Sequence, residues 1–324
     1  MIRYLARRFV FALLLVFLVS SAALWLTRLA PGDITVQLGL TASAEEVART
    51  RARFGLDRTI ILQWIEWTAR AARFDFGDSF LYNRPVSTLI ARGAANTAAL
   101  AVTALLLATG VGIPLGVFTG SRAGGVLAGL VRSVSILCLS VPPLVTSLVF
   151  VWLAARTGWF PVGGMMSIDA ATMSWQQWLS DLAWHLPLPS LALALPIAAT
   201  LERLQSQSID EVGREPFVVA AVARGLSHTQ LVVHHTWRAS LRPICGVYGI
   251  VIGALLSGSF VVEYVTSWPG LGRLMFEALR ARDIYLVAGC AATGALFLAC
   301  GTLISDFALG VVDPRVRDAG APQR

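Results

Sequence analysis

Lysine is absent from all 324 residues, so the 26 basic side chains are arginines without exception. That absence excludes a G-x-x-x-x-G-K-[ST] phosphate loop, and with it ATP binding by this chain through that motif. Charge of either sign is scarce. Only 14% of the residues are charged while 56% are hydrophobic, and the mean hydropathy of +0.68 is too high for a soluble protein of this length. The four cysteines, Cys138, Cys245, Cys290 and Cys300, stand singly in apolar segments with no C-x-x-C pair, which argues for small core residues and against disulfides or thiolate ligands. Of the four histidines, His234 and His235 are adjacent and would point about 100° apart on a helix, with no third ligand near them; a metal site is not expected. Neither H-E-x-x-H nor G-x-S-x-G occurs, so the chain reads as a non-enzyme. The formal charge of +7 does not point to nucleic acid, because the arginines flank apolar runs and do not gather with interleaved aromatics.

What the sequence has in abundance is long apolar runs. They fall at 9–26, 98–117, 126–154, 186–200, 244–262 and 286–312, each read as a crossing of a layer roughly 30 Å thick. The expected fold class is an all-α polytopic membrane protein with six transmembrane helices. The first run follows Arg3, Arg7 and Arg8 and exceeds the usual signal-peptide core of about 7 to 15 residues. It is expected to be retained, with a cytoplasmic amino terminus, although Ser20-Ser-Ala-Ala23 resembles a cleavage site. Pro142-Pro143 should kink or break the third span, either to line a pathway or as a plain bend. The fourth span is short and carries Pro187, Pro189 and Pro196.

The expected division is 1–29 for the cytoplasmic amino terminus and first span, 30–97 for an extracytoplasmic segment, 98–312 for a five-span core with a cytoplasmic loop at 203–243, and 313–324 for a cytoplasmic tail. Within 30–97 the sequence turns mixed, with Glu45, Glu46, Arg49, Arg51 and Arg53 and a helix-like aromatic stretch around Trp64, Trp67, Phe74 and Phe76. Glu202, Glu263 and Asp306 fall near expected span ends, so no proton relay is evident. Trp159, Trp175, Trp178 and Trp184 crowd one outer connection, in the manner of an interfacial belt. Leaving aside the long 30–97 segment, which the rule does not govern, Arg3, Arg7, Arg8, Arg122, Arg132, Arg203, Arg214, Arg224, Arg238, Arg242, Arg315, Arg317 and Arg324 lie on the proposed inner side, against Arg28, Arg156, Arg273, Arg280 and Arg282 outside. That imbalance satisfies the positive-inside rule.

One stretch of the 203–243 loop departs from what water should meet. Glu215-Pro-Phe-Val-Val-Ala-Ala-Val-Ala-Arg-Gly-Leu-Ser227 encodes a short apolar helix over 216–224, opened by Pro216 and closed by Gly225. Ser227 and Gln230 form an S-x-x-Q box that starts a second helix at once. At about 1.5 Å per residue the first helix is far too short to span. With no polar face it needs a partner, either a groove on another subunit or its own bundle.

The order of motifs along the chain is more specific than any one of them. Leu29-Ala-Pro-Gly-Asp33 is followed by Phe54-Gly-Leu-Asp-Arg58 with Gln63 and Trp67, then Asp75-Phe-Gly77 and Arg84-Pro-Val86. Ser140-Val-Pro142, Gly158-Trp-Phe-Pro161, Ala223-Arg-Gly-Leu-Ser227 and Arg238-Ala-Ser-Leu-Arg-Pro243 come next. Glu263, Trp268-Pro-Gly-Leu-Gly-Arg273, Arg282-Asp283 and Asp313-Pro-Arg-Val-Arg317 complete the set. Over nearly its whole length the chain resembles the inner-membrane permease of a bacterial ATP-binding-cassette importer, of the type serving dipeptides, oligopeptides and nickel. Thr302, Leu309 and Tyr285 depart from that family's usual residues, and Val219 stands where its E-A-A-x-x-x-G signature has an acid.

The resemblance implies a type I importer permease fold and a place in the bacterial cytoplasmic (inner) membrane. It implies a subunit forming half of the translocation pathway for peptides, with nickel or another small solute as the alternative; a stand-alone secondary transporter is the rival class. The implied partners are a homologous second permease subunit, two ATPase subunits that use the ATP, and an extracytoplasmic solute-binding protein, so no cofactor is expected in this chain. It also implies that 216–226 is a coupling helix seated on an ATPase, with Glu215, Phe217, Val219, Ala220, Ala221, Arg224, Gly225 and Leu226 as its coupling residues.

Overall fold

Helices supply the regular structure of the residues that the computed structural model describes, 2–30, 43–121 and 125–312, apart from an isolated bridge between Asp78 and Pro85. Three sequence readings fall partly outside those residues: the Pro31–Asp33 part of the first motif, the connection at 122–124 and the tail from Asp313. Helix α1 (Ile2–Leu29) opens the chain. Helix α2 (Ala44–Arg53) starts at a capping box between Ser43 and Glu46, and α3 (Ile60–Ala71) carries Trp64 and Trp67 of the aromatic stretch. Phe74 and Phe76, expected to be helical, lie in the loop after it, where Phe74 takes a positive φ that ends the helical path. Next come α4 (Val86–Ser121), α5 (Val126–Ser140) and α6 (Pro143–Thr157). Helices α7 (Trp175–His185) and α8 (Pro187–Gly213) lead to the short α9 (Pro216–Ala223). The chain then runs through α10 (His228–Leu231), a π turn at Val232–Thr236 and α11 (Trp237–Val265) to α12 (Leu271–Ala281) and α13 (Ile284–Val312).

Among the described residues, four helices are long and apolar enough to cross a membrane, or up to six if the bent pairs α5–α6 and α7–α8 each make one span. The break between α5 and α6 follows from proline chemistry. Pro142 is extended and Pro143 occupies the first turn of α6, where its missing N–H costs nothing and its ring forbids the preceding residue from continuing α5. The two halves meet at 102°.

Three boundaries differ from the sequence expectation. The fourth apolar run was expected to end at 200, yet α8 continues to Gly213, because Leu201, Gln205, Ser208 and Ile209 keep one face buried after mean hydropathy has fallen. Glu202 consequently lies in mid-helix and is buried, not at a span end. The fifth run, expected over 244–262, is preceded without a loop by the helix that begins at Ser227. The stretch Gly120-Ser-Arg-Ala-Gly-Gly125, whose sequence reads as a tight cytoplasmic connection, begins inside a helix, since Gly120 and Ser121 are the last residues of α4.

The chain divides into two compact units, one of residues 1–4, 99–268 and 300–324 and the other of 5–98 and 269–299. In the first, Leu100, Ala104, Leu193, Leu201, Leu255 and Trp268 form the centre of an apolar core. Here α4 crosses α8 at backbone contact. A Cβ added at Gly112, Gly116 or Gly120 would stand 2.5 to 2.6 Å from the carbonyl oxygens of Ala198, Glu202 and Ser206 respectively. Glycine every fourth residue makes one face of α4 bare, and only bare backbone permits that approach.

In the second unit, Leu24, Leu56, Trp67, Phe80 and Leu286 pack together, and polar side chains fix the loops around them. Gln63 Nε2 donates to Gly55 O and Arg58 O at 3.0 and 2.9 Å. The buried Asp283 carboxylate accepts from Ser79 Oγ at 2.6 Å, Leu81 N at 3.1 Å and Leu286 N at 3.1 Å. Burial pushes the Asp283 carboxyl above the ordinary carboxylate range, and these bonds offset only part of that.

Candidate docking site

The short helix is held in place by its own termini. Helix α8 ends at Gly213, and Arg214 reaches back one turn to Asp210 at 2.7 Å. Glu215 is extended and Pro216 opens α9. At the far end Leu226 N donates to Ala221 O and Gly225 N to Val222 O, a Schellman pair that satisfies carbonyls the helix would otherwise leave open. Gly225 supplies the φ of +84° that this closure requires. Ser227 and Gln230 then cap α10 reciprocally, with Ser227 N donating to Gln230 Oε1 at 3.1 Å and Gln230 N to Ser227 Oγ at 3.4 Å.

Between those caps α9 is divided between two surroundings. Val218 and Ala221 are 2% and 0% exposed, whereas Phe217, Val219 and Val222 are 46%, 60% and 55% exposed. Val218 and Ala221 are spaced i, i+3 and so share one side, and the helix packs against α8 and α10. Of the residues singled out from the sequence, Glu215, Phe217, Val219, Ala220, Arg224 and Gly225 face solvent, Leu226 is half-buried, and Ala221 is turned inward. Val222 joins the exposed apolar group although no sequence motif marks it. The inner side thus rests on its own chain, and the outer side carries exposed apolar side chains.

A cleft of ≈ 440 Å³ lies between α5 and α8, lined among others by Arg132, Ile136, Glu202, Arg203, Asp210 and Arg214. Opposite charges alternate along its α8 wall, with Arg214 held by Asp210, so it has no strongly basic or acidic field. Among the described residues no three His, Cys, Asp or Glu side chains gather where they could share a metal ion. What the arrangement offers is an apolar contact surface on a capped helix joined to a long one.

Residues 112–318 match the family described as the binding-protein-dependent transport system inner membrane component, and residues 1–101 match the N-terminal membrane component of such systems. Among curated proteins, the chain is 30% identical to the "Probable peptide ABC transporter permease protein" of Sinorhizobium fredii over 316 residues, 97% of this chain and 99% of the relative. It is 27% identical to the "Oligopeptide transport system permease protein" of Bacillus subtilis over 319 residues, 98% of this chain and 99% of the relative.

Proposed function

Because the chain belongs to the family of binding-protein-dependent transport system inner membrane components, we propose that it takes up peptides and that α9 is the element through which its ATPase partners act on it. As a family member it is a multi-pass inner-membrane permease subunit of an ATP-binding-cassette importer, and permeases of this family work with ATPase subunits and a binding protein. The peptide cargo in this reading rests on the names of the relatives, which describe peptide and oligopeptide transport. Two ATPases and a second, homologous permease complete the assembly proposed here. The amino terminus and 203–243 face the cytoplasm and 30–97 faces outward, as the arginine distribution favours. ATP is bound and hydrolysed by the partners.

The observation that carries the coupling role is the outward exposure of Phe217, Val219 and Val222 on a helix whose other side is fixed to α8. An exposed apolar side on a short, capped helix is suited to a groove on another subunit. Ala220 permits close approach, Glu215, Arg224 and Leu226 form the rim, and Gly225 sets the exit of the chain. Ala221 holds α9 to its own chain. When the ATPases close, α9 would be displaced with α8, and the spans would exchange between inward-open and outward-open arrangements.

The test is co-purification of the assembled importer after Val219→Asp. The expected result is a permease that reaches the membrane in normal amount but retains less than about a tenth of its ATPase subunits, since a buried unpaired carboxylate costs several kcal/mol. Normal retention of the ATPases and normal peptide uptake would overturn the assignment.

A further inference from the structure

A carboxyl group in the middle of a membrane protein's helix is costly to keep, and Glu202 is one. Its Oε1 accepts a hydrogen bond from Thr119 Oγ1 at 2.5 Å, and both side chains are buried. Three other helices are tied in at the same level. Arg132 of α5 donates from Nη2 to Thr119 O at 2.6 Å, and one turn along α8 Gln205 Nε2 donates to Ser240 Oγ of α11 at 2.7 Å. Gly116 and Gly120 bring α4 onto the backbone of α8 on either side of this point. From here to the end of α8 the helix is unbroken, with no proline and no glycine before Gly213. Those residues, 206–213, amount to about 12 Å of rigid rod.

We propose that Glu202 is a positioning residue for transport, pinning α8 to α4 through Thr119 so that a displacement of α9 carries both helices together. The inference rests on α9 being the coupling helix. The glycine seam sets how closely α4 approaches α8, but it joins the two helices through contact alone. The bond from Thr119 to Glu202, with both side chains buried, is directional, and breaking it leaves Thr119 Oγ1 only the Gly116 carbonyl oxygen of its own helix at 3.3 Å. It therefore adds resistance along the helix axis, the direction in which a stroke from α9 would arrive.

The experiment uses the complete importer in liposomes, with its ATPases and binding protein, and reads labelled peptide taken up per ATP hydrolysed. Thr119→Val keeps the shape and removes the donor, and Thr119→Ser keeps the donor. The expected result is a fall of about tenfold in peptide per ATP for Thr119→Val and for Glu202→Leu, with ATP hydrolysis continuing; tenfold corresponds to about 1.4 kcal/mol. Thr119→Ser and Glu202→Gln, which keep a donor and an acceptor, are expected to stay near the unmodified ratio. An unchanged ratio in Thr119→Val, or an equal loss in Thr119→Ser, would overturn the pin. Disappearance of both Thr119→Val and Glu202→Leu from the membrane would also overturn it, since the bond would then serve folding alone. Val219→Asp run in parallel separates the two readings: if it uncouples while Thr119→Val does not, only the pin falls, and if it has no effect the docking assignment falls first.

Discussion

Gly116 lies against Gln205 so closely that a Cβ at position 116 would stand 2.5 Å from the Gln205 Cβ. The neighbouring obstacle is the Glu202 carbonyl oxygen at 2.6 Å, which is backbone and cannot rotate away. Gly116→Val is therefore expected to push α4 off α8 and destabilise the protein by about 3 kcal/mol or more. Thermal unfolding in detergent checks this. Gly110→Ala is the control, because nothing lies within 4 Å of a Cβ added there; that variant should unfold at or slightly above the unmodified temperature.

Asp283 makes the second unit sensitive to pH. Its carboxyl is raised by burial, so the folded protein holds that proton more firmly than the unfolded chain, whose value is about 3.9. The associated stabilisation is complete below the unfolded value and is lost as pH climbs through the raised folded one. Protection of the Leu81 and Leu286 amides, which bond to Asp283, taken relative to their intrinsic base-catalysed exchange, should accordingly fall between about pH 4 and the raised folded value. Asp283→Asn should remove that dependence.

Gln63 is buried and its amide serves two carbonyls, those of Gly55 and Arg58. Gln63→Leu preserves approximate volume but leaves both acceptors without their donor, at a cost of about 1 to 3 kcal/mol each. The expected consequence is local: loosening of the turn between α2 and α3, seen as faster proteolysis at 54–59 with the core around Leu193 and Leu255 unaffected.

The two sides of α9 should respond oppositely to the same added bulk. Ala221→Leu places a larger side chain where no surface is exposed and should destabilise the loop by about 1 to 3 kcal/mol. Val219→Leu enlarges the exposed side and should leave folding within about 0.5 kcal/mol of the unmodified protein. Limited proteolysis of 214–227 distinguishes the two before any partner is added.

Much of α9 was legible because its boundaries are local chemistry: Pro216 opens it, Gly225 closes it and Ser227 with Gln230 starts the next helix. Which of its residues face inward was not, since Ala220 and Ala221 are the same residue type and only the position of α8 tells them apart. The glycine seam of α4 left a plain trace in the sequence as Gly112, Gly116 and Gly120 at a spacing of four, but the spacing does not say which helix it meets. The length of α8 was hidden by reliance on hydropathy, which falls at Glu202 although burial continues to Ile209. The joint between Asp283 and Ser79 links positions 204 residues apart, a separation at which periodicity carries no information.

The exit from α9 asks for handedness and not for room. An L-residue's Cβ at Gly225 would meet nothing within 4 Å, so what excludes it there is a torsion that L-residues resist and not a want of room. A mirror-image alanine would meet that demand with less strain than its natural counterpart, although the two differ by no atom. Semisynthesis with D-alanine at 225 would thus keep the elbow while narrowing the freedom of the unfolded chain, and the loop should grow more robust through a change of chirality alone.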